Sequence, residues 1–300
     1  MPKIFLIVIA GFLLLSCNDG KIKNKPDLER LKLNGEVKRI SKTFYKSTLA
    51  FGEFIKVKAI DGEQFEHFAE EYFRELHFNT AGYITKSILY NDANVLLNQW
   101  NFEYDDDGRI LKKSDVHGCT VAYNYMDKEH KSIETRHPSV QRLHGWRPEV
   151  EIIKTYNETN ERILKSDITE NNKILKREVF EFNDNNELHE VETYIDSLDN
   201  GKITSITNYS FKEGKLDFYS FTSGPFPISY NLKYNEEGDI ISCEESELDM
   251  FNGENYEHIR PKTFSYKYDK QGNWVERVSF LSEYPSGEPD IMTVRKIEYY

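Results

Sequence analysis

Four of the eight histidines lie between positions 117 and 144, with a cysteine two residues after the first of them. On a strand His117 and Cys119 share one face, and an imidazole beside a thiolate suits a soft metal. The set His117, Cys119, His130, His137 and His144 matches no zinc spacing. Pro138, Gly145 and Pro148 around it mark an insertion near 117–150. These histidines therefore read as exposed side chains, and neither a metal nor another cofactor is expected. Asp105-Asp106-Asp107-Gly108 opens like a calcium loop but lacks the long frame and the closing Glu, so a turn explains it. Cys119 and Cys243 lie far apart in sequence and read as free thiols, with a disulfide between them, which an extracytoplasmic address permits, as the alternative. No Gly-rich phosphate loop, GxSxG elbow or HExxH occurs. Acidic pairs suited to glycoside hydrolysis are available among 51 Asp and Glu, but nothing singles one out. No catalytic residue is assigned, and the chain is expected not to be an enzyme. Trp146 in the insertion and Trp274 after a turn are the candidates for stacking on a sugar ring.

Charge narrows the partners. Lys plus Arg is 39 against 51 acids, a formal charge of −12. Nucleic acid is excluded as a partner, because binding it needs basic residues to displace counterions from phosphates. The mean hydropathy of −0.67 is low for a folded chain. Nineteen Tyr, nineteen Phe and three Trp argue against disorder, which is aromatic-poor.

The first seventeen residues address the protein. Met1-Pro2-Lys3 is a short basic start, and Ile4 to Leu15 is apolar apart from Gly11. That run is too short to span a bilayer and fits the apolar region of a signal peptide over residues 1–16. Leu14-Leu15-Ser16-Cys17 resembles the lipobox of bacterial lipoproteins. The resemblance implies cleavage before Cys17 and acylation of that residue, hence a membrane anchor. It also implies an outer-membrane destination, since Asn18 is not the Asp that favours inner-membrane retention. The polar stretch that follows, to about residue 30, reads as a tether, and residues 31–300 as one folded domain.

That domain repeats itself. An aromatic, then Asn or Asp, then Gly or Asn three residues on, then an aliphatic residue or Trp recurs along it. Copies start at Phe78, Tyr90, Tyr104, Phe182, Tyr234 and Tyr268, with degenerate ones at Tyr156 and Ile168. Starts at 78, 90 and 104 and at 156, 168 and 182 show the same spacings of 12 and 14 residues. The 52 residues from 104 to 156 leave room for two poorer units. The acidic or amide residue caps a turn with its side chain, and the Gly or Asn takes the left-handed position. The predicted turn pairs are Asn79 with Gly82, Asp105 with Gly108, Asn183 with Asn186, Asn235 with Gly238 and Asp269 with Gly272. The flanks alternate as strands do: Trp100, Phe102 and Tyr104 on one side, Asn101 and Glu103 on the other.

Tyr104-Asp105-Asp106-Asp107-Gly108-Arg109-Ile110 and Tyr268-Asp269-Lys270-Gln271-Gly272-Asn273-Trp274 resemble YD repeats of the Rhs type, over roughly residues 72–280. Large members coil such hairpins into a closed shell around a toxin. This chain has too few repeats for such a shell and ends on a strand-like segment, so only the strand–turn–strand architecture would carry over. The expected fold is all-β: antiparallel hairpin repeats forming one long curved or coiled sheet. Glu36 to Tyr45 and Phe54 to Ile60 should form a further hairpin, and residues 72–78 a strand leading into Asn79. The expected function is non-catalytic recognition of protein or glycan by a lipid-anchored envelope protein. Two rivals are an immunity-like protein sequestering a periplasmic toxin, which the acidic charge suits, and a polysaccharide hydrolase.

Overall fold

The computed structural model describes residues 21, 25–50, 53–60, 73–91, 95–138, 149–171, 173–195, 203–223, 226–251, 254–281 and 289–300. Cys17, His144 and Trp146 lie outside them. After a one-turn helix α1 (Asp27–Arg30) come nineteen strands. The first ten are β1 (Val37–Ala50), β2 (Glu53–Ile60), β3 (Glu75–Phe78), β4 (Ile84–Tyr90), β5 (Leu96–Tyr104), β6 (Ile110–Asp115), β7 (Thr120–Met126), β8 (Lys131–His137), β9 (Val150–Tyr156) and β10 (Ile163–Glu170). The rest are β11 (Lys173–Phe182), β12 (Leu188–Ile195), β13 (Ile203–Lys212), β14 (Lys215–Ser223), β15 (Phe226–Tyr234), β16 (Ile240–Phe251), β17 (Glu254–Tyr268), β18 (Trp274–Leu281) and β19 (Pro289–Tyr299). From β3 onward each strand pairs antiparallel with the next.

The sheet closes on itself. β1 pairs antiparallel with β19 from Arg39↔Glu298 to Lys46↔Ile291. Its other edge takes β3 at Arg39–Ser41 and β2 at Phe44–Ala50, so β2 and β3 share one place in the ring. The result is a closed barrel of 18 strand positions. This corrects the expected open or coiled hairpin array. The chain is not a YD-repeat solenoid. The turns are local and the hairpins form as their sequences direct. Closure adds a ladder between residues some 250 apart, and it removes the two free edges that an open sheet would expose.

Up-and-down order puts alternate turns at alternate rims. One rim, here the turn rim, holds the left-handed residues Gly82, Gly108, His130, Asn160, Asn186, Gly214, Gly238 and Gly272. Gly82, Gly108, Asn160, Asn186 and Gly238 are separated by 26 or twice 26 residues, one hairpin of two strands per step. The region 111–155, where the motif fades, stays in register: β6 to β9 continue the ring, with a 3₁₀ turn at Asp127–Glu129. Its sequence keeps the alternation (Val121, Tyr123 and Tyr125 against Ala122 and Asn124) while losing the turn signature. The inserted segment therefore contracts to the connection between β8 and β9.

Cross-strand partners lie on one face, so the register sorts the side chains. One face carries Ile40, Phe44, Leu76, Phe78, Trp100, Phe102, Tyr104, Val121, Ile152, Val191, Leu232 and Tyr266. The other carries Glu103, Lys112, Lys165, Glu190, Glu192, Asn231, Lys233 and Glu244. Buried side chains concentrate on the first face: Val121 is 2% exposed, whereas its neighbour Ala122 is exposed. Among the described strands this face is crowded without a second layer over it, so it is the concave, lumenal one. The best-packed core sits at the seam: Val37, Ile40, Phe73, Leu76, Phe78 and Ile84, with Leu28, Leu31 and Leu33 of the N-terminal segment against them.

Candidate functional site

At the turn rim each predicted capping residue accepts backbone hydrogen bonds. Asn79 Oδ1 takes the N–H of Ala81 and Tyr83. Asp105 Oδ1 takes those of Asp107 and Arg109, and Asp269 Oδ1 those of Gln271 and Asn273. Asn183 Oδ1 takes those of Asn185 and Glu187, and Asn235 Oδ1 that of Asp239. Gly82, Gly108, Asn186, Gly238 and Gly272 occupy the left-handed position that follows. Tyrosine hydroxyls tie one turn to the next: Tyr104 donates to Ile84 O, Tyr234 to Leu216 O and Tyr266 to Ile240 O, each at 2.6–2.7 Å. Tyr268 donates to Asp239, and Tyr299 to Asp269. These residues build the rim rather than a binding surface.

Three carboxylates are locked into this frame. Burial alone would raise Glu75, Asp105 and Asp167, but hydrogen bonds (for Asp105 from the backbone N–H of Arg109 first) and charged partners outweigh it and hold all three below the usual carboxylate range. The partners are Arg39 and His77 for Glu75, Arg109 for Asp105, and Arg177 with Lys165 for Asp167. A carboxylate more acidic in the folded state stabilises it above its unfolded pKa, about 4, and loses that contribution as the pH falls further. The thermal midpoint should therefore stay level from pH 7 to 5 and drop below about pH 4. A drop that begins above pH 5.5 would contradict this assignment.

The candidate metal ligands do not converge. Among the described residues no group of three or more His, Cys, Asp or Glu could hold an ion. His117 contacts Leu97 O at 3.1 Å, His130 contacts Asn160 at 2.7 Å, and His137 pairs with Glu149 at 3.0 Å. Neither Cys119 nor Cys243 forms a disulfide among the described residues. Cys119 lies in the turn just before β7 and Cys243 on β16, half the ring apart, which rules out a disulfide between them. Burial pushes the Cys243 thiol up to about 12 and leaves it 1% exposed, while Cys119 is partly exposed. Iodoacetamide at pH 8 should therefore alkylate Cys119 in the native barrel and Cys243 only after unfolding. Peptide mapping of the adducts reads this directly, and native labelling of Cys243 would refute it.

Trp274 is 6% exposed, and the guanidinium of Arg295 lies 3.3 Å from its ring centre. Arg277, 5.2 Å from its ring centre, and Tyr266 also lie against it, so its ring is covered in this structure. The lumenal face instead presents open aromatics elsewhere. A hollow of about 500 Å³ over β11–β14 is lined by Phe180, Tyr209 and Phe221, with Glu178, Thr193 and Thr207 between them. Phe221 is 40% exposed. From Tyr209 a stack continues along the wall, to Tyr219 at 6.5 Å and on to Tyr230 at 4.5 Å. Burial, then the neighbouring Tyr230 and Glu245, keep the Tyr219 hydroxyl well above the ordinary tyrosine range, so it stays protonated. Sequence reasoning singled out the rarer tryptophans. The signal for this hollow was the run of same-face residues Tyr209, Tyr219 and Phe221, legible only once hairpin register is known.

Charge runs through both faces. Inside, Glu134 pairs with Arg136 at 2.7 Å, Glu178 with Lys176 at 2.7 Å, and Glu245 with Arg260 at 3.0 Å. Outside, Arg177 pairs with Asp167 at 2.6 Å and Lys267 with Glu276 at 2.6 Å. A barrel embedded in lipid needs one continuous apolar outer band, and each Lys or Arg at its midplane costs about 2–4 kcal/mol. Of the outward cations, Lys112, Lys165, Lys233 and Lys267 stand within two residues of the turn-rim ends of their strands, while Arg177, paired with Asp167, stands nearer mid-height. Among the described residues no helix is long and apolar enough to cross a membrane.

No protein-family model and no curated protein matches this chain. Among solved structures it is similar to a porin-like protein from Bacteroides uniformis ATCC 8492, at 10% identity and a TM-score of 0.42. That match covers 88% of this chain and 98% of the other. A second porin-like protein, from Bacteroides vulgatus ATCC 8482, matches at 10% identity and a TM-score of 0.39, covering 72% and 97%.

Proposed function

We propose that this is a non-catalytic, lipid-anchored envelope protein whose barrel stands in water and holds part of a glycan against its lumenal wall. The observation that carries the reading is the hollow over β11–β14. Aromatic faces at Phe180, Tyr209 and Phe221 suit the C–H faces of pyranose rings, and Thr193, Thr207 and Glu178 supply polar partners for sugar hydroxyls. The charged outer face supports a water-facing barrel, and Cys17 supplies the anchor such a barrel needs.

A glycan array probed with the mature chain tests it, beside the single variants Tyr209→Ala and Phe221→Ala. The expected result is a saturable glycan signal that falls at least about tenfold in either variant, one lost aromatic contact each. Unchanged binding in both variants would move the site elsewhere. No glycan bound, together with toxin sensitivity in a deletion strain, would favour the immunity-like alternative.

A further inference from the structure

Among the described residues the N-terminal segment binds the turn rim. Leu28 N–H donates to Gly82 O at 3.1 Å, and Asp27 accepts from Ile84 N–H at 2.7 Å. Lys32 Nζ reaches Gly238 O at 3.3 Å. Asn34 and Asn273 exchange two hydrogen bonds, both 2.8 Å, beside Gly272. Further upstream, Lys21 Nζ lies 2.6 Å from Asp107 Oδ2. Gly82, Asp107, Gly238 and Asn273 all belong to the turn rim. The segment packs Leu28, Leu31 and Leu33 on the lumenal face there.

Chain reach then fixes an orientation. Cys17 is four residues before Lys21, and four extended residues span at most about 14 Å. We infer that the turn rim faces the bilayer and that the opposite rim, where β6 meets β7, is presented outward to partners. Strands of eight to ten residues place the outward rim roughly 25–30 Å farther from the membrane. This rests on acylation of Cys17. The exposed turn residues Asp106, Asp107, Glu158 and Asp184 oppose close approach to an anionic surface, so the tether length sets the gap. Lys21 and Lys25 lie on that tether, between the acidic rim and the lipid.

The test uses the full acylated chain in vesicles that carry an acceptor-labelled lipid. In a Cys119→Ser background, a donor dye is placed at Glu158→Cys or Asp184→Cys on the turn rim, or at Val116→Cys on the other. Buried Cys243 stays unlabelled. Energy transfer to the bilayer should be several-fold greater from positions 158 and 184 than from 116. Equal or reversed transfer in a chain that floats with the vesicles would overturn the orientation alone. A chain that does not float would overturn the acylation and the orientation with it.

Discussion

Leu76→Ala should destabilise the barrel by about 2–5 kcal/mol, the range for deleting a fully buried leucine side chain. Leu76 is 0% exposed on β3, directly across from Ile40 of β1, where the first strand meets both its neighbours. It packs with Val37, Phe73, Phe78 and Ile84 under the N-terminal leucines. Elsewhere the wall is one layer thick and most side chains are only half buried, so little packing compensates for a cavity at the seam. Denaturant unfolding followed by tryptophan fluorescence gives the value. A loss under about 1 kcal/mol would mean that the seam does not hold the barrel shut.

Gly108→Ala is the second large effect, through backbone strain rather than packing. Gly108 has φ +77°, and a Cβ there would lie 2.1 Å from Tyr83 Oη and 2.4 Å from Tyr83 Cζ. The left-handed backbone alone costs an alanine roughly 1–2 kcal/mol. Relieving the clash must also move the Tyr83 ring, which packs 5.0 Å from Tyr104. The expected total is about 2–4 kcal/mol. Gly214→Ala is the control: it has a similar φ of +72° but open space around the added carbon, so only the backbone cost should appear. Equal losses in the two variants would contradict the proposed contact.

These two positions mark what was legible in the sequence. Gly108 was readable, because Asp105 three residues earlier and the flanking alternation of Phe102, Tyr104 and Ile110 are all local signals. The same holds for the hairpin of β1 with β2 and for β3 leading into Asn79. Closure was not readable. The pairing of Ile40 with Ile297 joins the two ends of the chain, and nothing near either residue distinguishes a partner strand from solvent. The end of the stretch read as a tether, up to residue 30, and the residues just after it show the opposite case. It is polar and Pro-containing as a tether should be, yet Leu28, Leu31 and Leu33 at helical and turn spacing dock it onto the rim. The hollow of Phe180, Tyr209 and Phe221 draws on strands whose sequences separate the three by up to 41 residues, and only register unites them.

One fractionation tests the proposed arrangement directly, a barrel that stands in water and is held by lipid on Cys17. The wild-type chain is compared with a Cys17→Ser chain secreted from an ordinary cleavable leader in place of residues 1–16. Membranes are washed at alkaline pH, and folding is checked by far-UV circular dichroism. Wild type should stay with the membrane, and the variant should appear as a folded β-protein in the soluble periplasmic fraction. A folded Cys17→Ser chain that resists alkaline extraction would mean that the strands themselves sit in lipid and that no anchor is needed.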